Sequence, residues 1–343
     1  MRVLYFSEAL VPPFDEGIKK ASWHLLRAVQ GQHEALALTN RGPGILEAGV
    51  RRVRANRLLA SLSLWRQVRA FRPERVIYFP TACATLFSFI RARLLSLYAG
   101  VPANLIALQP RRYGRLARRL IPLLHSGPVW AQGHATVEPL RQLGCDVRML
   151  PPAVDGETFR PGDPPLRAAL RAKYGIPGNA FVVLHVGHIL PNRNVPVLAD
   201  VQRRGGVQVV AVGSTAFGAD AGLVQTLRDA GVIVIDRYLE RVEQMYQLAD
   251  CYLFPVRSLA GSIEVPLSVL EAMACNLPVV STPFGELPLL FPEGQGVYYC
   301  RDEAEWPAAI ERARREMPAN TRARVEPYTW AAVARRILGE ERP

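Results

Sequence analysis

The chain has 343 residues, is 49% hydrophobic and 21% charged, and carries a formal net charge of +12 at pH 7. The length predicts two domains, and the composition supplies buried cores and excludes a disordered chain. No apolar run reaches the ~18 residues that cross a bilayer; the longest candidate, residues 81–97, is interrupted by Arg91 and Arg93.

The first ten residues, MRVLYFSEAL, lack a signal-peptide layout and read as a first strand, so the expected location is cytoplasmic, soluble or lying on a membrane surface. Further short apolar runs predict strands at 35–39, 75–79, 104–109, 129–132 and 147–150, then at 181–186, 207–212, 232–235, 251–254 and 278–281. Continuous apolar strands alternating with amphipathic helices predict parallel sheets covered on both faces. Two such series predict an α/β chain of two doubly wound domains, 1–155 and 156–327, with a closing helix near 328–343. The boundary falls in the segment 151–165, PPAVDGETFRPGDPP, which is dense in Pro, Gly and Asp.

Several stretches carry the chemistry. The loop after the first strand runs through Glu16, Gly17, Lys19 and Lys20 into a helix with Ile18, Ala21, Leu25, Leu26 and Val29 on one face. It is not a dinucleotide fingerprint, because no G-x-G-x-x-G follows the strand. Arg111, Arg112, Arg115, Arg118 and Arg119 alternate with Tyr113, Leu116, Leu120 and Ile121, a pattern that suits an anionic membrane, a phosphorylated acceptor or a solvated helix face. After the strand FVVLHV comes Gly187-His188-Ile189-Leu190-Pro191-Asn192-Arg193-Asn194, at a carboxyl strand end. Gly213 and Ser214, and later Gly285, sit at further strand ends. Glu264 and Glu271 flank an apolar run in which Pro266 is expected at the first helical position, ahead of Leu267 and Ser268; the free amides of that helix start form an anion site. Five dispersed cysteines without a C-x-x-C pair argue against a disulfide framework or a zinc site. The net charge favours polyanions, among which nucleic acid rests on charge alone.

The run LEAMACNLPVV, residues 270–280, with an acid upstream, resembles the donor signature of glycosyltransferase family 4, the retaining GT-B enzymes. That family reads E-G-F-G-L-x-x-L-E-A-M-A-x-G-x-P-V-V, with seven residues between the glutamates. Here six separate Glu264 from Glu271, the ungapped first position falls on Ile263, and Val265 and Pro266 stand in place of G-F-G. The segment 151–165 is similar to the family's interdomain stretch at Val154, Asp155, Phe159 and Pro161, with Ala153 in place of glycine. Against the family's G-R-L-x-x-x-K-G, His188 takes the Arg position and Arg193 the Lys position. Against its Gly-Gly pair, Glu16 and Gly17 stand in the first loop.

The resemblance implies two Rossmann-like domains facing across a cleft, and sugar transfer from a nucleotide-diphosphate sugar to an acceptor hydroxyl with retention. No residue stands out as a nucleophile, so front-face attack is expected. Arg193 and Glu264 would be catalytic, Arg193 neutralising the diphosphate and Glu264 facing the transferred sugar. Glu271 would accept from the ribose hydroxyls. Gly17, Gly187, His188, Gly213, Ser214, Pro266, Leu267, Ser268 and Gly285 would line the donor, and Lys19, Lys20, Arg111, Arg112 and Arg115 would form an acceptor or membrane patch. The resemblance implies no metal and no cofactor beyond the nucleotide sugar as co-substrate. The expected acceptor is a sugar, a lipid-linked or a small molecule, with an anionic membrane surface as a further partner and no nucleic acid. A nucleotide-sugar epimerase of the same fold and an inactive sugar-nucleotide binding protein are the competing readings.

Overall fold

The structure, a computed structural model, describes residues 1–81, 83–215 and 218–340. The chain divides into two compact units. The first comprises Met1–Pro152, the short segment Ile263–Val265 and the chain from Trp330 onward; the second comprises Ala153–Ser262 and Pro266–Thr329.

In the first unit seven strands form one parallel sheet: β1 (Arg2–Ser7), β2 (Glu34–Thr39), β3 (Val50–Arg52), β4 (Arg75–Phe79), β5 (Ala103–Ala107), β6 (Val129–Ala131) and β7 (Val147–Met149). Their order is β3-β2-β1-β4-β5-β6-β7, so the winding reverses between β1 and β4. Leu4, Phe6, Leu38, Val76, Tyr78, Leu105 and Val129 alternate out of these strands into one buried cluster. The helix Gly17–Gln32 begins where the Glu16 side chain accepts from the amides of Ile18 and Lys19, and it buries Ile18, Ala21, Leu25, Leu26 and Val29. The last helix, Trp330–Leu338, lies against it: the Trp330 ring stacks on His24 at 5.8 Å between centroids. Arg75 Nε donates to Leu338 O at 3.2 Å. Residues 341–343 of the expected closing helix lie outside the described residues.

The second unit holds six parallel strands: β8 (Val182–Gly187), β9 (Gln208–Gly213), β10 (Ile233–Ile235), β11 (Cys251–Phe254), β12 (Val279–Ser281) and β13 (Val297–Tyr299). The order is β10-β9-β8-β11-β12-β13, with the reversal between β8 and β11. Asp250, just before β11, accepts from Arg171 Nη2 at 2.6 Å and from the Val182 amide at 2.7 Å, and it pairs with Arg167 as well. A buried carboxylate with several charge-assisted donors is satisfied, and here it ties the starts of β8 and β11 to the helix Pro164–Lys173.

The parallel α/β architecture agrees with the sequence reading. Two strands were not anticipated, β3 and β13, each three residues long and each at a sheet edge. The expected helical Pro266 is instead the cap of the helix Leu267–Ala274, with φ −64° and ψ 122°. Its proline ring suits φ near −65° in either position, but the extended ψ lets the chain enter the helix one residue later. Cys83 is half-buried, whereas Cys145, Cys251, Cys275 and Cys300 are buried, and all five are free thiols. No helix among the described residues is long and apolar enough to cross a membrane.

Candidate functional site

At the reversal point of the second sheet several of the expected residues come together. β8 and β9 pair so that Gly187 stands beside Gly213, and the Ser214 amide donates to Gly187 O at 3.3 Å. Two adjacent strand ends without side chains leave the backbone open to a ligand. Gly187 also has a packing reason: a Cβ there would come to 3.3 Å from His185 Nε2. His188 follows and is buried, with 6% exposure. A 3₁₀ turn, Pro191–Arg193, then carries Arg193, and Asn194 closes it in the left-handed region at φ 55°. Asn194 Nδ2 donates to Pro255 O at 3.2 Å, which pins this turn to the chain after β11. The turn packs on a second one, Leu259–Gly261. A Cβ on Gly261 would meet Asn192 O at 2.9 Å and Arg193 Cδ at 3.4 Å, so only glycine admits this close approach.

Glu271 lies in the helix Leu267–Ala274 and is 3% exposed. Tyr246 Oη donates to Glu271 Oε2 at 2.7 Å, and the Tyr246 ring stacks on Tyr252 at 5.7 Å. Tyr252 Oη in turn donates to Val186 O at 3.1 Å and is hydrogen-bonded by the Ser268 side chain. Burial pushes the Tyr252 phenol up; Ser268 opposes the shift, Glu271 adds to it, and Arg193 opposes it. Tyr252 thus has both the Glu271 carboxylate and the Arg193 guanidinium among its charged neighbours. Burial also pushes the Tyr246 phenol up, with Glu271 beside it. His185 is buried in β8, and desolvation lowers its pKa to about 4; the Leu253 carbonyl bonded at 3.0 Å opposes this, and Arg193 adds to it. The lowered pKa keeps the ring neutral at pH 7, and the carbonyl requires its single proton on Nδ1, which donates. No side chain caps the start of the helix Leu267–Ala274. Its first amides, at Leu267 and Ser268, are the ordinary orphan donors of a helix start. Gly285, after β12, is exposed and left-handed at φ 53°.

Other expected residues belong to the first unit. Glu264 is 1% exposed, and its carboxylate accepts from the Thr136 amide at 3.3 Å and from the Thr136 hydroxyl. Thr136 is in the first turn of the helix His134–Arg141, where an acidic group satisfies orphan amides and opposes the dipole. The Glu264 amide donates to Leu108 O at 3.2 Å. The glutamate spacing gave no sign that 263–265 would leave its own domain's fold to join the first one. Gly17, at the start of its helix, has room for a Cβ only 3.6 Å from Ile263 Cδ1. Lys19 Nζ donates to Pro13 O at 3.4 Å, and Lys20 is half-buried beside it. Arg111 and Arg112 are exposed ahead of the helix Arg115–Leu124, and Arg111 Nη1 lies 3.5 Å from Cys83 Sγ. On that helix Arg115, Arg118 and Arg119 are exposed, as are Leu116 and Leu123 at 65% and 76%. Sequence reasoning missed Tyr246, Tyr252 and Thr136; each reads as ordinary core or helix in sequence, and only the fold gives their hydroxyls partners.

Charge is divided unevenly along the chain. Residues 1–152 hold 22 Lys and Arg against 8 Asp and Glu, whereas residues 153–343 hold 20 against 22. No acidic residue occurs between Glu74 and Glu138.

Residues 180–316 match the family model described as Glycosyl transferases group 1. The chain is similar to D-inositol 3-phosphate glycosyltransferase of Geodermatophilus obscurus, 32% identical over 224 residues, which are 57% of this chain and 48% of that protein. The enzyme of the same name from Mycobacteroides abscessus is 32% identical over 203 residues, 54% of this chain and 44% of that one. The chain thus spans about half the length of these curated relatives. Among solved structures, HepE of Anabaena in complex with UDP superposes with a TM-score of 0.77 at 16% identity, covering 99% of both chains. A glycosyltransferase from Rickettsia africae gives 0.78 at 10% identity, covering 98% of this chain and 97% of that one. Sucrose-phosphate synthase of Thermosynechococcus elongatus gives 0.72 at 16%, covering 99% and 98%. At such identities the likeness establishes the fold, which is GT-B: two Rossmann-like units in series.

Proposed function

We propose that this GT-B chain is a retaining glycosyltransferase that moves a sugar from a nucleoside diphosphate to a hydroxyl on an acceptor. The observation that carries the reading is the cluster around Tyr252, where Ser268, Glu271 and Arg193 converge beside the paired glycines of β8 and β9. Support also comes from the match of residues 180–316 to the glycosyltransferase group 1 model. HepE, which shares the fold, has been solved with UDP and with UDP-glucose.

In this reading Glu271, held by Tyr246, accepts hydrogen bonds from the ribose. Gly187, Gly213, Ser214 and Gly285 let the nucleotide approach the backbone. Arg193 and the amides at Leu267 and Ser268 take the diphosphate, with His188 beside it; Pro266 sets where those amides begin. As the glycosidic bond breaks, charge grows on the leaving diphosphate, and a fixed guanidinium stabilises it more in the transition state than in the ground state. A diphosphate oxygen then takes the proton of the attacking hydroxyl on the same face of the sugar. No resident metal or cofactor is part of this scheme. Glu264 acts through the loop it anchors, because its carboxylate is taken up by Thr136.

The acceptor side is assigned to the first unit. Its positive excess suits an anionic acceptor, free or carried on a lipid surface, and Lys19, Lys20, Arg111, Arg112 and Arg115 are exposed or half-buried there. The curated relatives are named for a phosphorylated inositol.

Thermal denaturation with UDP, GDP and ADP tests the donor reading. One of the three should raise the melting temperature by several degrees at millimolar concentration, and the rise should vanish in Arg193→Ala. No shift with any of them would remove the proposal.

A further inference from the structure

At the reversal point of the first sheet lies a charged cluster that the donor reading does not use. Glu8 follows β1, and its amide donates to Phe79 O at the end of β4 at 3.1 Å. Its side chain is 1% exposed. Tyr78 Oη, on β4, donates to Glu8 Oε1, and Arg91 Nη1 donates to the same oxygen at 2.6 Å. Arg41 Nη2 stands 3.7 Å from the other oxygen. Burial opposes the charge on Arg91, but Tyr78 and Glu8 outweigh it and raise the guanidinium pKa. Arg91 is held further by Nε on Arg57 O at 2.8 Å. The two arginines differ in exposure: the Arg91 side chain is 12% exposed, that of Arg41 55%. One carboxylate thus serves two guanidiniums. The inner one is fixed in place, and the outer one has more than half of its side chain exposed.

The turn that carries Arg41 is narrowly built. Gly44 is left-handed at φ 87°, and a Cβ there would lie 2.9 Å from Val50 O. That fixes the path of the chain just after Arg41. In doubly wound sheets ligands gather outside the carboxyl ends of the strands where the winding reverses; Glu8 and Tyr78 sit at the ends of β1 and β4, and Arg41 follows the adjoining strand β2. A buried carboxylate that binds two guanidiniums leaves the group with one surplus positive charge, presented at the place the fold reserves for a ligand.

We propose that Glu8, Tyr78 and Arg91 position Arg41 as the contact for an anionic group on the acceptor, of phosphomonoester type. The phosphomonoester is favoured over a single carboxylate because its charge at neutral pH exceeds one, and residues 1–152 carry 14 more basic than acidic residues. The flat guanidinium fork matches two of its oxygens. The inference rests on the glycosyltransferase reading for the word acceptor and for nothing else.

The test measures binding by calorimetry to the full chain in the presence of whichever of UDP, GDP and ADP stabilises it, using D-inositol 3-phosphate and uncharged inositol as probes. A second arm uses phosphatidylcholine vesicles with and without phosphatidic acid. Wild type should prefer the phosphorylated partner at least ten-fold in one of the two arms. Preference in solution identifies a soluble phosphorylated acceptor, and preference only on vesicles identifies a lipid-borne one. In either case Arg41→Gln should remove most of the preference and Arg41→Lys should keep part of it. Glu8→Gln should weaken it several-fold, and thermal melting read in parallel distinguishes loss of fold. Arg41 is exposed, so its variants report on binding even if Glu8→Gln fails to fold. Affinity for that nucleoside diphosphate should be unchanged in all Arg41 variants, so a failure of donor binding and a failure here are read separately. No preference for phosphate in either arm, or a preference undiminished in Arg41→Gln, overturns the proposal.

Discussion

Tyr252 illustrates how a residue that looks like core becomes the hub of a site. Its ring is buried in β11, yet its hydroxyl reaches the end of β8 and the first turn of the helix Leu267–Ala274. The sequence marked Glu271 and Arg193 through their motifs but not Tyr246, which donates to Glu271, or Tyr252, because a tyrosine in an apolar helix or strand has the same pattern whether or not its hydroxyl is used. At this scale the roles separate kinetically. Arg193→Ala should weaken nucleotide binding and, at saturating donor, also lower the turnover rate by about 10²–10³, the signature of a contact that tightens in the transition state. Glu271→Gln should instead raise the donor KM about ten-fold, the loss of roughly 1.4 kcal/mol of binding. Steady-state kinetics with the donor found by thermal shift checks both, and equal effects on kcat and KM in the two variants would refute the division.

Among the elements, the 3₁₀ turn Pro191–Arg193 depends on its neighbour Leu259–Gly261 more than on itself. Gly261→Val would push its branched side chain into Asn192 O, a backbone atom that cannot swing aside. The expected outcome is about a ten-fold loss of affinity for the nucleoside diphosphate that stabilises the wild type, measured by calorimetry, because Arg193 moves with the turn. Unchanged affinity would mean that the contact is slack. The long strands were readable because parallel strands buried on both faces are uninterrupted apolar runs. β3 (VRR) and β13 (VYY) escaped because edge strands are short and need bury only one side. Pro266 was misplaced by one residue because proline fits both the cap and the first helical position. For Glu264 the spacing of the two glutamates carried no information about Thr136, 128 residues away in the chain.

For the whole molecule, charge and burial set the response to solution conditions. The folded His185 has a pKa of about 4 against an ordinary value of 6.5. The unfolded chain therefore binds a proton that the native ring refuses, and stability falls as pH drops from 6.5 toward 4. Full protonation of the unfolded ring costs on the order of 3 kcal/mol, at ~1.4 kcal/mol per pKa unit. Urea denaturation at pH 7.5 and 4.5 should show a smaller pH difference for His185→Gln than for wild type; an identical difference would show that other groups govern acid unfolding. The two-domain α/β plan was legible from the alternation of strands and helices along the chain. The assignment of 263–265 to the first unit was not, since it depends on three residues leaving one fold to complete another.

The cysteines offer a practical outcome. Burial pushes the thiols of Cys145 and Cys300 up to about 11 and about 12, and those of Cys251 and Cys275 higher still. Thiols kept protonated and enclosed react slowly with electrophiles. Cys83 alone is half-buried, and its sulfur lies 3.5 Å from Arg111. A maleimide dye at neutral pH should therefore attach once per native molecule, as intact mass spectrometry can count. The dye would sit on the basic rim of the first unit, a built-in optical reporter of whatever docks there.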